Sequence, residues 1–132
     1  MKIQNLEEID TPCLILDKSL LEKNCFKARK KCLELNTILR PHVKTPKSIE
    51  IAKIALDNHI GPITVSTLNE AEYFAGAGFK DILYAVCITP KKLKRLNFIQ
   101  QKYSCIIRIV IDSTYVAQEI LKYSKLHNAN FE

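Results

Sequence analysis

Residues Arg40, Pro41, His42, Val43, Lys44, Thr45, Pro46 and Lys47 crowd three cations and an imidazole into one short stretch. An amine attacks a carbonyl only when it is neutral, and partial desolvation among other cations favours the neutral form. Lys44, between Arg40 and Lys47, is the candidate for such an amine, and the matching chemistry is a Schiff base with an aldehyde cofactor or substrate. The same residues also read as a solvated basic loop, and composition does not choose between the two.

The neighbouring residues say where such an amine would sit. Ile38 and Leu39 lead in as an apolar run, and Pro41 cannot donate to a sheet ladder, so regular pairing is expected to falter near Lys44. Thr45 suits a helix N-cap and Pro46 the first helical position. Lys44 is thereby expected at the point where a strand ends and a helix begins, the end of α/β sheets at which ligands bind.

Along the chain, residues 1–10 read as an irregular lead-in and Pro12–Leu16 as a short apolar strand. Asp17 caps a helix in which Leu21, Cys25, Ala28, Cys32 and Leu35 form one stripe, ended by Asn36. A strand follows over Thr37–Val43, then a helix over Pro46–Asn58 that buries Ile49, Ala52 and Leu56. Gly61-Pro62 is a turn and Ile63–Ser66 a strand. Thr67 and Glu70 fit a capping box, each satisfying the other's backbone donor, for a helix that stops at Gly78. Asp81–Val86 is the next strand, and Thr89-Pro90 starts a helix with Leu93, Leu96, Ile99 and Tyr103 inward. Cys105–Ile111 is the most apolar strand, interrupted by Arg108. Asp112 or Ser113 caps a last helix with Val116, Ala117, Ile120, Leu121 and Ser124 on one side. This strand–helix rhythm, at roughly twenty to twenty-five residues per repeat, predicts parallel βαβ units. Four such units are either a small open sheet or half of an eight-fold barrel, which needs ~250 residues when whole.

Composition narrows the function classes. The 132 residues are 47% hydrophobic and 26% charged, a balance that suits one domain with a core and excludes disorder. No apolar run approaches the ~20 residues of a spanning helix, so no membrane role is expected. Met1–Glu8 lacks an apolar signal core and carries early acids, which leads to a cytoplasmic assignment. Five cysteines (13, 25, 32, 87 and 105) are scattered without a CxxC pair and are expected as small buried hydrophobes, without disulfides. The net charge of +6 raises a nucleic-acid role. Its clusters, Lys27 with Arg29–Lys31 and Lys91–Arg95, have no aromatic platform among them and read as solvated helix faces, so no nucleic-acid partner is expected. Only three glycines are present, and Gly76-Ala77-Gly78 closes a helix, which argues against a phosphate-binding nucleotide loop.

Arg40-Pro41-His42-Val43-Lys44-Thr45 resembles the R-P-H-x-K-T signature of the D-threonine aldolase / D-serine dehydratase family, whose N-terminal domain is an alanine-racemase-like barrel. A second block, Ile63–Glu72, continues into Ala77–Ala85 and looks like that family's next two strands, and Asp10–Asp17 is similar to its opening. The resemblance runs the length of the chain. It implies the N-terminal half of a TIM-type (β/α)8 barrel that binds pyridoxal phosphate, with about four parallel βα units after a first strand and helix. Residues 1–132 would form this partial barrel, and the family's C-terminal β-domain would be absent.

What the resemblance implies for chemistry follows the motif. Lys44 corresponds to the Schiff-base lysine, with His42 and Arg40 beside it as cofactor-binding residues. The substrate would be a small D-amino acid, cleaved between Cα and Cβ or dehydrated. The family motif continues with a histidine where this chain has Pro46, so that ring's role does not carry over. The phosphate cradle, further catalytic groups and a divalent metal belong to parts of the family outside this chain. No metal ligand is expected here, and His59 and His127 are read as ordinary surface histidines. Ala129–Glu132 falls where a fifth strand is expected to begin, so a second chain or a homodimer partner is a further expectation, as is weak activity or none alone. Other readings stay open: a pyridoxal-phosphate carrier without turnover, an inert remnant, or a basic nucleic-acid module with salt-sensitive binding.

Overall fold

The computed structural model describes residues 5–132. The lead-in expected over residues 1–10 therefore lies partly outside the described residues. Within residues 5–10 there is one 3₁₀ turn, Leu6–Glu8, with the Asn5 side chain accepting from the Glu7 N–H. Five α-helices and three strands follow: α1 Lys18–Glu34, α2 Ile49–Ala55, β1 Ile63–Val65, α3 Leu68–Gly76, β2 Asp81–Cys87, α4 Leu93–Tyr103, β3 Ile106–Val110 and α5 Thr114–His127. The strands form one parallel sheet in the order β1-β2-β3, with Thr64 opposite Leu83 and Leu83 opposite Arg108.

The two faces of this sheet differ in kind. Successive strand residues alternate between faces, and Ile63, Val65, Ile82, Tyr84 and Ile107 all point to the helix layer, fully buried. Phe74 and Phe79 meet there edge to face at 5.4 Å, with Leu93, Leu96 and Ile99 of α4 closing the same core. The opposite face carries Asp81, Leu83, Ala85 and Arg108, half-buried or exposed, and corresponds to a barrel's inner wall. An α/β chain with a three-stranded parallel sheet of this kind is consistent with the N-terminal half of a barrel.

Several boundaries differ from the expected ones, each for a local reason. Residues 13–17 form no strand: no neighbouring strand offers them hydrogen bonds among the described residues, and Leu14, Ile15 and Leu16 are exposed. The strand expected over Thr37–Val43 is reduced to a single bridge, His42 to Thr64. Pro41 has no N–H, and what remains is Thr64 N–H to Pro41 O and Val43 N–H to Thr64 O, both 2.9 Å. Helix α2 starts at Ser48, not Thr45, because Lys47 takes a left-handed φ of 44° that no helix can contain and the Ser48 hydroxyl accepts from the Ile51 N–H. Its other end is wrapped by Arg29 of α1, which donates to Ile54 O at 2.8 Å and pairs with Asp57. That cation suits a helix C-terminus.

This contact also rotates the α1 stripe. Leu21, Cys25, Arg29 and Cys32 are half-buried, whereas Ala28 and Leu35 are exposed. Of the five cysteines, all free thiols, only Cys105 is buried; Cys25, Cys32 and Cys87 are half-buried and Cys13 is exposed. Leu121 likewise turns outward on α5, while Ser113 supplies the cap that accepts from the Val116 N–H. Thr89 makes no side-chain cap; Pro90–Lys92 is a 3₁₀ turn that feeds α4. Helix α3 ends as expected, with Gly78 at a φ of +97° and the Gly78 and Phe79 N–H groups returning to Ala75 O and Phe74 O.

An ion cluster fixes the N-terminal end of the sheet. Arg40 donates to both oxygens of Asp81, at 2.8 and 2.9 Å, and Arg108 Nε reaches the same carboxylate at 3.1 Å. Arg108 also pairs with Glu132, whose carbonyl accepts from the Ile109 N–H at 2.8 Å, so Glu132 touches the outer edge of β3. The hydrogen bond from Arg40, helped by the charges of both arginines, holds the Asp81 carboxyl below its ordinary range.

Two measurements test this architecture. The β3 edge and the exposed Ile106, Val110 and Ile111 leave a flat apolar margin, and the purified chain is expected to self-associate in sedimentation velocity. A single sharp monomer with a cooperative unfolding transition would contradict that. Asp81→Asn is expected to lower stability at neutral pH by on the order of 1 kcal/mol, the range for partly exposed pairs. A folded-state pKa below the unfolded value of about 3.9 gives stability that is full above it and lost as pH falls through the folded value. Urea melts of wild type and variant should therefore converge on acidification below pH ~4, and a gap constant with pH would remove Asp81 as its source.

Candidate functional site

Arg40 and His42 lie before and at the bridge to Thr64, Val43 after it is buried in the core, and Lys44 follows, exposed, in the turn beyond. Lys44 lies just past the bridge to Thr64, at the C-terminal end of the sheet, in the turn where the Lys47 N–H returns to Val43 O at 3.0 Å. It is exposed, and its ammonium has no ion-pair partner among the described residues. The crowding by flanking cations expected from the sequence is relieved: Lys47 pairs with Glu70 at 3.3 Å and Arg40 with Asp81 at 2.8 Å. Desolvation of Lys44 is likewise not supplied by this chain.

His42 stands beside Lys44, held at both ring nitrogens. Nδ1 accepts from the Lys44 backbone N–H at 3.2 Å, and Nε2 lies 3.3 Å from Ser66 Oγ. With Nδ1 accepting, the ring proton of the neutral imidazole sits on Nε2 and is directed at the Ser66 hydroxyl. The ring faces the Lys44 side of the strand and does not fill the core. Arg40 faces the same way but four residues earlier, at the opposite end of the sheet, with its fork occupied by Asp81. The structure therefore brings Lys44 and His42 together and sets Arg40 apart from them.

Sequence reasoning missed Ser66 and the role of Glu70. The Thr67 hydroxyl does accept from the Glu70 N–H at 3.1 Å, but the Glu70 carboxylate takes the N–H of Ser66, at 2.8 Å, instead of that of Thr67. The usable signal was topological: β1 pairs with the Lys44 strand, so the residue just beyond β1 must lie next to the residues just beyond Val43.

Some basic residues elsewhere are taken up by the fold. A pocket of about 280 Å³ at this end of the sheet is lined by Ser66, Asn69, Lys91, Lys92 and Arg95 among others. There Lys92 donates to Tyr84 Oη at 2.6 Å and Arg95 to Asn69 and Glu72. A larger apolar cleft, about 710 Å³, lies between α1 and the start of β1 and includes none of Arg40, His42 and Lys44. His59 is exposed on its rim, and His127 stacks on Tyr123 at 4.2 Å between ring centres. Among the described residues no three His, Cys, Asp or Glu side chains gather as a metal site, and no helix is long and apolar enough to cross a membrane.

Comparison with known proteins bears on the fold as a whole. No family model matches the chain. It is 35% identical over 124 residues to D-threo-3-hydroxyaspartate dehydratase of Delftia sp. (strain HT23), an alignment covering 94% of this chain and 32% of that protein. Against D-serine dehydratase of Dictyostelium discoideum it is 39% identical over 95 residues, 68% of this chain and 24% of the relative. The crystal structure of an Ala racemase-like protein from Idiomarina loihiensis superposes with a TM-score of 0.89 and 38% identity, over 95% of this chain and 33% of that one. The chain thus spans about a quarter to a third of the length of the relatives it matches. By sequence and by fold, the chain is similar to part of the D-threo-3-hydroxyaspartate and D-serine dehydratases, with an alanine-racemase-like fold.

Proposed function

We propose that Lys44 is the attachment lysine for pyridoxal phosphate in a lyase or aldolase acting on small D-amino acids. The carrying observation is the placement of Lys44: the one lysine of the R-P-H-x-K-T motif stands at the C-terminal end of a parallel sheet, exposed and without an ion-pair partner among the described residues. A primary amine so placed fits an aldehyde cofactor in donor chemistry. Relatives of the D-serine dehydratase and threonine aldolase types are pyridoxal-phosphate-dependent. When bound, that cofactor supplies an electron sink for a carbanion at the amino acid's Cα.

This chain's own residues contribute position. His42 fixes the Lys44 backbone through Nδ1, and Ser66 fixes the ring through Nε2. Arg40 acts at a distance, tying the same strand to Asp81 at its other end. Water exclusion, the phosphate cradle and any divalent metal are assigned to structure beyond these residues, and a partner chain or a homodimer is one way to supply it. The 132-residue chain by itself is assigned cofactor capture and no turnover.

The test is to incubate the purified chain with pyridoxal phosphate, reduce with borohydride and map the labelled peptide. Label is expected on Lys44 and is expected to vanish in Lys44→Ala. Label spread over many surface lysines, or none at all, would overturn the assignment.

A further inference from the structure

The loop that carries Lys44 is held at two points, one on either side of that residue; one hold runs to the turn between β1 and α3 and the other to the first turn of α3. On the N-terminal side His42 Nε2 meets Ser66 Oγ at 3.3 Å. On the C-terminal side Lys47 Nζ meets Glu70 Oε1 at 3.3 Å. The two holds converge, because the other carboxylate oxygen of Glu70 accepts from the Ser66 N–H at 2.8 Å. Glu70 is 8% exposed and is one of only two buried polar side chains among the described residues. A carboxylate removed from water is retained where each oxygen has a charged or backbone donor, and here each has one.

From this we infer that Glu70 is a positioning residue for Lys44, acting through Lys47 on one flank and through Ser66 and His42 on the other. The inference deepens the attachment role proposed for Lys44 and rests on it for its functional meaning. The backbone shows why a hold is needed. Lys47 has a left-handed φ of 44°, a conformation that non-glycine residues adopt only when their surroundings over-determine it. Residues 44–46 are all exposed; the Lys47 N–H to Val43 O bond closes them into a turn, but neither the single bridge at His42 nor the Ser48 cap ties that turn to a neighbouring element. Glu70, coming from the next βα unit, supplies that tie at Lys47. A capping-box glutamate would have turned back to the Thr67 N–H; this one reaches Ser66 instead, and in doing so faces the Lys44 loop.

Amide hydrogen exchange, read by mass spectrometry on the peptides covering 42–48, 66–69 and 82–87, tests this without any cofactor. In Glu70→Gln the amide oxygen still accepts from Ser66, but the charge facing Lys47 is gone. Exchange over 42–48 is expected to rise about threefold, the scale of one ion pair with an exposed partner, with 82–87 unchanged as internal control. Lys47→Met should give the same rise, and the double variant no more than either single, because both remove one interaction. Glu70→Ala should loosen 66–69 as well. Unchanged exchange over 42–48 in Glu70→Gln, additive singles, or an equal rise over 82–87 would each overturn the inference. The rate of borohydride-trapped label on Lys44 should fall with the same variants. If the wild type takes no label there, the attachment role fails, while the exchange pattern still decides whether Glu70 holds the loop.

Discussion

Two backbone hydrogen bonds on either side of Thr64 are what attach the Lys44 strand to the sheet. Proline at position 41 ensures that there are few others, since the residue that would donate next along the ladder has no proton to give. Everything distinctive about the site follows from that sparse pairing. The strand needs an anchor at each end, and it has them: Asp81 grips Arg40 at the N-terminal end of the sheet, and Ser66 and Glu70 grip His42 and Lys47 at the other. Between these anchors the chain is free to leave the sheet early, and Lys44 stands in an open turn instead of in a ladder.

The charge distribution has a similar logic. A net charge of +6 suggested a basic surface in search of an anion. In the folded chain many of the cations are spent internally: Arg29 on the carbonyl end of α2, Lys92 on a buried tyrosine hydroxyl, Arg95 on Asn69 and Glu72, Arg40 and Arg108 on one aspartate. Lys44 has no carboxylate against it among the described residues, as is also true of Lys27, Lys30, Lys91 and Lys94; what sets it apart is its place at the C-terminal end of the sheet.

Much of this was legible in the sequence because it is local. The 3.6-residue stripe of α4, the glycine stop after Ala77, and the alternation of Asp81–Val86 each depend on neighbours a few positions away, and each appears where its residues place it. The features that escaped depend on who stands next door. Pro12–Leu16 has the composition of a strand and lacks a partner. Ala28 is apolar, yet Arg29 is the side chain that turns inward, because the open carbonyls of α2 lie there. Thr45-Pro46 has the signature of a helix start, but Ser48 offers a cap that the backbone at Lys47 can reach. Of the site, Lys44 and its position at a strand end were readable from the motif; the Ser66 and Glu70 contacts required knowing that the following strand lies alongside.

The core lies wholly between strands and helices, none of it in the inner wall, and this has a consequence for how the chain holds together. Each βα unit buries its apolar side against its own helix and the unit beside it, as repeat proteins do, so cohesion is a chain of nearest-neighbour terms. Order should then be graded along the chain: firmest at β2, which has a strand on both sides, and weakest at α1, where no residue is buried. The Lys44 strand sits between these extremes. Its amine is mounted on the boundary between the rigid and the yielding part of the molecule.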